Sequence, residues 1–175
     1  MNFEDILKER LNKRDIMYLC AACCDAPDDS AKTELFSLAG HPDDRIGYNA
    51  LWVFTHFPPK DIAWLQGKRD ALIETVLHTR YTGRRRLALT LLQRLPAEAA
   101  DMRTDYLDFC LSKINSAEPY AIRALCLRQA FAMCRLYPEL MSELKAVTEL
   151  MESAPLSSGL RCARRQILQK MAALD

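Results

Sequence analysis

Apolar residues recur along this chain at helix spacing, and the pattern itself repeats. At a constant step of 38, the segments 46–58, 84–96, 122–134 and 160–172 align without gaps. One column reads Ala50, Ala88, Cys126 and is broken by Arg164; a second reads Phe54, Leu92, Ala130, Leu168, and a third Phe57, Leu95, Met133, Met171. The column Gly47, Arg85, Arg123, Arg161 is basic in three copies of four. Within each copy the apolar positions fall at i, i+4, i+7 or i+8 and i+11, which is one face of a helix and not the alternation of a strand.

A second helix precedes each of these. Leu35/Leu38, Ile73/Val76 and Leu111/Ile114 keep the same step, and in the fourth copy the phase slips by a residue or two, to Val147, Leu150 and Met151. Pro27, Pro58, Pro96 and Pro138 fall where second helices end, Pro42, Pro119 and Pro155 fall within the pairs, and Pro59 opens the next connection. None interrupts a predicted helix, where it would remove a hydrogen bond and clash with the preceding turn. The predicted unit is a helical hairpin of about 38 residues, repeated four times over 30–59, 60–97, 98–138 and 139–175. A shorter N-terminal cap pair occupies 1–29, with helices predicted over 3–12 and 13–25. One hairpin cannot bury its apolar face alone, so stacking must supply the core of a single domain spanning 1–175.

Composition agrees with an all-α chain. Leu (26) and Ala (22) dominate, whereas Val (3) and Gly (5) are scarce among the 175 residues. A hydrophobic fraction of 50% with 27% charged residues excludes a disordered chain. No apolar run approaches the length of about 18 residues that a membrane span needs, so no membrane partner is expected. The stretch Met1 to Lys13 is charged throughout and lacks the apolar core of a secretory signal. The seven cysteines are an odd count lying inside apolar helical stretches, which points to reduced thiols in a cytoplasmic protein. Cys20-Ala-Ala-Cys23-Cys24 could form a redox couple or half a zinc site. No second ligand pair exists, however, and His41, His56 and His78 are isolated, so these cysteines are assigned to packing, in phase with Ile16 and Leu19. No metal and no cofactor is expected.

Ile122-Arg123-Ala124-Leu125-Cys126-Leu127 and Leu160-Arg161-Cys162-Ala163 resemble the start of second helices in HEAT repeats: apolar, Arg, two residues, small. Arg84-Arg85-Arg86-Leu87-Ala88-Leu89 keeps the arginine and the alanine but has Arg84 at the apolar position. The resemblance runs from Ser30 to Leu174. It implies an armadillo-type right-handed α-α superhelix, or solenoid, with the second helices on the concave side. The acid that pairs with the arginine in HEAT repeats has only Asp43, Asp44 and Glu118 as counterparts here, an incomplete ladder.

Net charge is +1, yet the charges are segregated. The second helices carry Arg84, Arg85, Arg86 and Arg94, then Arg123, Arg128 and Arg135, then Arg161, Arg164, Arg165 and Lys170, with no acid among them. If positions 50, 53, 54 and 57 face the core, 48, 52, 55 and 56 face outward. The outward set therefore includes Tyr48, Trp52 and His56 in the first copy, Arg86 and Arg94 in the second, Arg128, Phe131 and Arg135 in the third, and Lys170 in the fourth. An aromatic pair beside a basic stripe suits anionic ligands with flat groups. The arginine column has a structural alternative, bonding to carbonyls or acids of the adjacent turn.

No phosphate-binding loop, dinucleotide fingerprint, zinc-protease motif or nucleophile elbow is present. The leading expectation is a non-enzymatic, monomeric module that binds a partner protein or peptide on its concave, basic face. The alternative is a nucleic-acid binder. Its sharper form is an alkylated-base DNA glycosylase, since one repair family is built from HEAT-like repeats. That family also needs a carboxylate, and no motif carrying it matches this sequence.

Overall fold

The computed structural model describes residues 2–98, 102–153 and 155–174, with all their side chains except those of 152 and 153. Among the described residues every regular element is helical. The chain divides into two compact units, 1–95 and 96–175.

The first unit holds α1 (Phe3–Leu7), α2 (Lys13–Cys24), α3 (Ser30–Ala39), α4 (Asp44–Thr55), α5 (Pro59–Ile62), α6 (Arg69–His78) and α7 (Thr82–Arg94). A 3-10 stretch, Ala63–Lys68, joins α5 to α6. Helix α3 packs on α4 and α6 on α7, while the second helices α4 and α7 also pack on each other. The periodic positions supply this core: Ile46, Ala50, Val53, Phe54 and Phe57 from the first hairpin, with Leu87, Ala88, Leu91 and Leu92 from α7, are all buried. Rings from separate elements converge on Phe54. Phe36 meets it edge-on at 5.8 Å, Trp64 stacks on it at 6.1 Å, and Phe57 lies at 4.7 Å.

Helix α1 is shorter than the predicted 3–12. Asn12 caps α2 instead of ending α1: its side chain accepts from the backbone N–H groups of Arg14 and Asp15, and Asp15 accepts in return from the Asn12 N–H at 2.9 Å. The carbonyls at the end of α1 are met from α4. Asn49 Nδ2 donates to the Leu7 carbonyl at 2.9 Å and the Glu9 carbonyl at 3.2 Å, and Arg45 Nη1 donates to the Lys8 carbonyl at 3.2 Å. Asn49 is only 4% exposed. Asn49→Ala is therefore expected to lower stability by about 1–3 kcal/mol, the cost of leaving buried carbonyls short of a donor. Urea denaturation monitored by circular dichroism checks this, and an unchanged midpoint would count against the capping role.

The break in the basic column at Gly47 has a steric cause. Arg84 reaches across from α7 to donate to the Ala39 carbonyl (2.7 Å), the His41 carbonyl (3.2 Å) and Asp44 Oδ1 (3.0 Å). A Cβ at position 47 would stand 2.8 Å from the Arg84 guanidinium carbon and 3.0 Å from the Ala39 oxygen. A glycine here leaves room for the crossing.

The second unit holds α8 (Thr104–Ile114), α9 (Tyr120–Cys134), α10 (Met141–Glu149) and α11 (Ser158–Ala172), with 3-10 turns at Pro138–Leu140 and Leu150–Ser153. Helix α8 packs on α9, α10 on α11, and α11 on α9. Most of α9 is buried, including Phe131 at 6% exposure, which corrects its placement on the outward face. The phase slip in the fourth copy coincides with the 3-10 turn after α10, whose tighter winding rotates successive side chains differently. Met151 is fully buried there, whereas Leu150, expected on the core face, is 66% exposed.

Candidate binding site

Tyr48, Trp52 and His56 stand at i, i+4 and i+8 on one side of α4, so their rings form a ladder. Trp52 lies 6.1 Å from Tyr48 and 6.3 Å from His56, and Tyr81, which precedes α7, meets Tyr48 edge-on at 5.9 Å. All three are half-buried, turned away from the Phe54 cluster but not free in solvent. His56 is held at its Nδ1, 3.1 Å from the Trp52 carbonyl.

Tyr48 and Trp52 line a groove of about 320 Å³ with Glu9, Arg10, Leu11, Arg45 and Asn49. Aromatic faces and Leu11 make its apolar wall; at the rim stand the exposed Arg10, Arg45 with its Nη1 already on the Lys8 carbonyl, and the carboxylate of Glu9. The residues after α1 reach the groove because Asn49 and Arg45 tie that segment to α4. Sequence periodicity marks Tyr48 and Trp52 but misses Glu9, Arg10, Leu11 and Arg45. The one available signal was a polar Asn49 among the apolar residues of α4. A groove of this kind suits an apolar or aromatic side chain carried next to an acidic group.

The cations of the second helices separate into two sets. Arg85 Nε donates to the Val76 carbonyl at 3.1 Å, and Arg123 Nε donates to the Ile114 carbonyl at 2.8 Å. Donors and acceptors are both 38 residues apart, so at these two positions the arginine closes the end of the preceding helix, as the structural alternative required. Arg84 is committed to the carbonyls above it. Arg94, placed on the binding face from its sequence position, spends Nη1 on the Thr55 carbonyl (2.8 Å) and Nη2 on the Phe57 carbonyl. Its guanidinium therefore joins α7 to the end of α4. Arg164 Nε donates to the Thr148 carbonyl at 3.1 Å. Five of the eleven cations are thus bonded to backbone carbonyls. Arg86, Arg135 and Lys170 are exposed and Arg128 is half-buried; Arg86 lies in the first unit and the other three in the second.

The cysteine triplet on α2 has the character of packing. Cys20 and Cys23 are buried, and Cys20 Sγ lies 4.0 Å from Cys24 Sγ. Desolvation pushes Cys23 and Cys24 up to about 12, so the neutral thiol is the form present near pH 7. Among the described residues no group of three or more His, Cys, Asp or Glu is arranged to hold a metal ion. Nor is any of their helices long and apolar enough to cross a membrane.

Helical hairpins whose second helices repeat one carbonyl-closing arginine at a fixed step define a helical-repeat protein. The family model for the HEAT repeat domain matches residues 3–171, and the chain belongs to that family. No curated protein and no solved structure matches the chain.

Proposed function

We propose that this chain is a non-enzymatic binding module that takes a segment of a partner protein or peptide at the Tyr48–Trp52 groove. HEAT repeats are helical modules that typically mediate protein interactions. The observation that carries the reading is an aromatic wall facing a groove with Arg10 and Arg45 at its rim. An apolar anchor fills the wall, and an acidic neighbour on the same peptide meets the rim cations. The proposal includes a monomeric protein of the cytoplasm. It also includes a right-handed superhelical arrangement of four hairpins of about 38 residues behind an N-terminal pair, with the groove on its concave side.

The nucleic-acid alternative loses much of its support because the bonded arginines no longer count toward a phosphate track. It now rests on Arg86 in the first unit and on Arg128, Arg135, Arg161, Arg165 and Lys170 in the second. The test uses purified protein to recover partners from native lysate, with Trp52→Ala and Tyr48→Ala beside the wild type. A stoichiometric protein partner is expected, with recovery falling tenfold or more in Trp52→Ala, the size of effect typical of an aromatic anchor. Arg14→Ala, on an exposed position of α2, is expected to leave recovery unchanged. In parallel, fluorescence anisotropy with labelled single- and double-stranded DNA and RNA is expected to stay flat at low salt. Submicromolar binding with a steep salt slope would instead establish the nucleic-acid reading.

A further inference from the structure

The fourth hairpin breaks the arginine pattern, and the break leaves a cavity lined with cations. In the two preceding copies the column arginine is used up on a carbonyl nine residues earlier: Arg85 on Val76, Arg123 on Ile114. In the fourth copy the α10 carbonyl is instead met by Arg164, which donates from Nε to Thr148. Arg164 lies one helical turn beyond the column position, and the shift accompanies the 3-10 turn that offsets the end of α10. The column residue, Arg161, is released to solvent. It lies one turn from the exposed Arg165 on the same side of α11. Together they line a cavity of about 740 Å³ with Arg164, Ser158, Cys162 and an apolar lip of Pro155 and Leu156.

We propose that this cavity is a docking site for a phosphoserine- or phosphothreonine-bearing segment of a partner. The proposal rests on the reading of the chain as a peptide-binding module and adds a second site to it, on the other unit. A phosphate monoester near neutral pH carries close to two negative charges on three acceptor oxygens, and two guanidinium groups one turn apart can meet it with paired N–H donors. The cavity exceeds what a phosphate alone would fill. Its Pro155/Leu156 lip provides apolar surface for the residues flanking a phosphoserine, which a free phosphate would leave unused. A nucleic acid would need a track of cations at successive phosphates, whereas these arginines converge on one cavity.

The test is anisotropy titration of a fluorescein-labelled degenerate phosphoserine peptide library against the matched serine library. Inorganic phosphate, adenosine monophosphate and a labelled 12-mer RNA serve as further probes. The phosphoserine library is expected to bind at least tenfold more tightly than the serine library. Arg161→Ala and Arg165→Ala should each weaken it about tenfold, and Arg161→Lys should only partly restore it, since an ammonium lacks the planar fork. Both residues are exposed, so the thermal melts of these variants should match wild type. Equal binding of the two libraries, or phosphopeptide binding indifferent to both substitutions, overturns the proposal. So does inorganic phosphate or the mononucleotide binding as tightly as the phosphopeptide, or RNA binding more tightly with the same dependence on Arg161. Trp52→Ala, run alongside, separates the two sites: it should leave phosphopeptide affinity unchanged, and a loss there would place the phosphopeptide in the first unit's groove instead.

Discussion

Phe54→Ala is expected to destabilise the first unit by about 3–5 kcal/mol, the range for removing a large ring from a core. Phe54 is fully buried, and its ring meets Phe36 from α3, Phe57 beyond the end of α4, and Trp64 from the 3-10 stretch before α6. Each neighbour belongs to a different segment with its own backbone bonds, so the cavity left by truncation cannot close by moving one side chain. A domain with about 5–15 kcal/mol of total stability would lose a large share of it. The substitution should also weaken the binding groove, because α4 presents Tyr48 and Trp52 on the opposite side from Phe54. Urea denaturation followed by circular dichroism measures the first effect. Trp64, stacked on the deleted ring, should report the same unfolding by a shift in its emission, and partner recovery measures the effect on the groove. A loss under about 1.5 kcal/mol would mean that the ring cluster repacks, as volume-conserving cores do.

The hairpins were legible because their evidence is local and repeated. Ala50, Ala88 and Cys126 sit at the same step on three helices, all are fully buried, and the helices carrying the first two pack together. What stayed hidden depends on contacts between residues far apart in sequence. The stop of α1 has one local sign, the Asn12/Asp15 capping box that starts the next helix, and one distant support, Asn49, some forty residues on, which takes the carbonyls that a longer helix would have used. Phe131 was placed outward by its helical phase, but α9 packs against α8 and α11 and has little surface left to expose. Trp64 carried no periodic signal because the segment 59–68 interrupts the register before α6. The candidate face shows the same limit in electrostatic form. Counting arginines on second helices reveals how much charge is there, but not whether each guanidinium meets a carbonyl first. Arg94 and Arg128 look alike in the sequence, and geometry assigns one to the fold and leaves the other beside solvent.

Arg123 gives the most direct test of that division. It is 7% exposed, donates to the Ile114 carbonyl at 2.8 Å, and holds its guanidinium 5.6 Å from the Tyr120 ring centre. Arg123→Ala should therefore lower stability by about 2–3 kcal/mol, the upper range for a hydrogen bond to a charged group, with the end of α8 left short of a donor. Arg123→Lys should recover only part of this, because a single ammonium cannot reproduce the planar stacking and directed Nε donation together. Arg128→Ala, one and a half turns along the same helix and more open to solvent, should stay within about 0.5 kcal/mol of wild type. The three midpoints in urea, taken side by side, decide whether the repeated arginine is a fold element. If Arg123→Ala proves as mild as Arg128→Ala, the carbonyl contact is not holding the hairpin, and the whole column at 85, 123 and 161 returns to consideration as a binding surface. If the costs separate as expected, the released Arg161 stands out as the member of the column that the fold does not need.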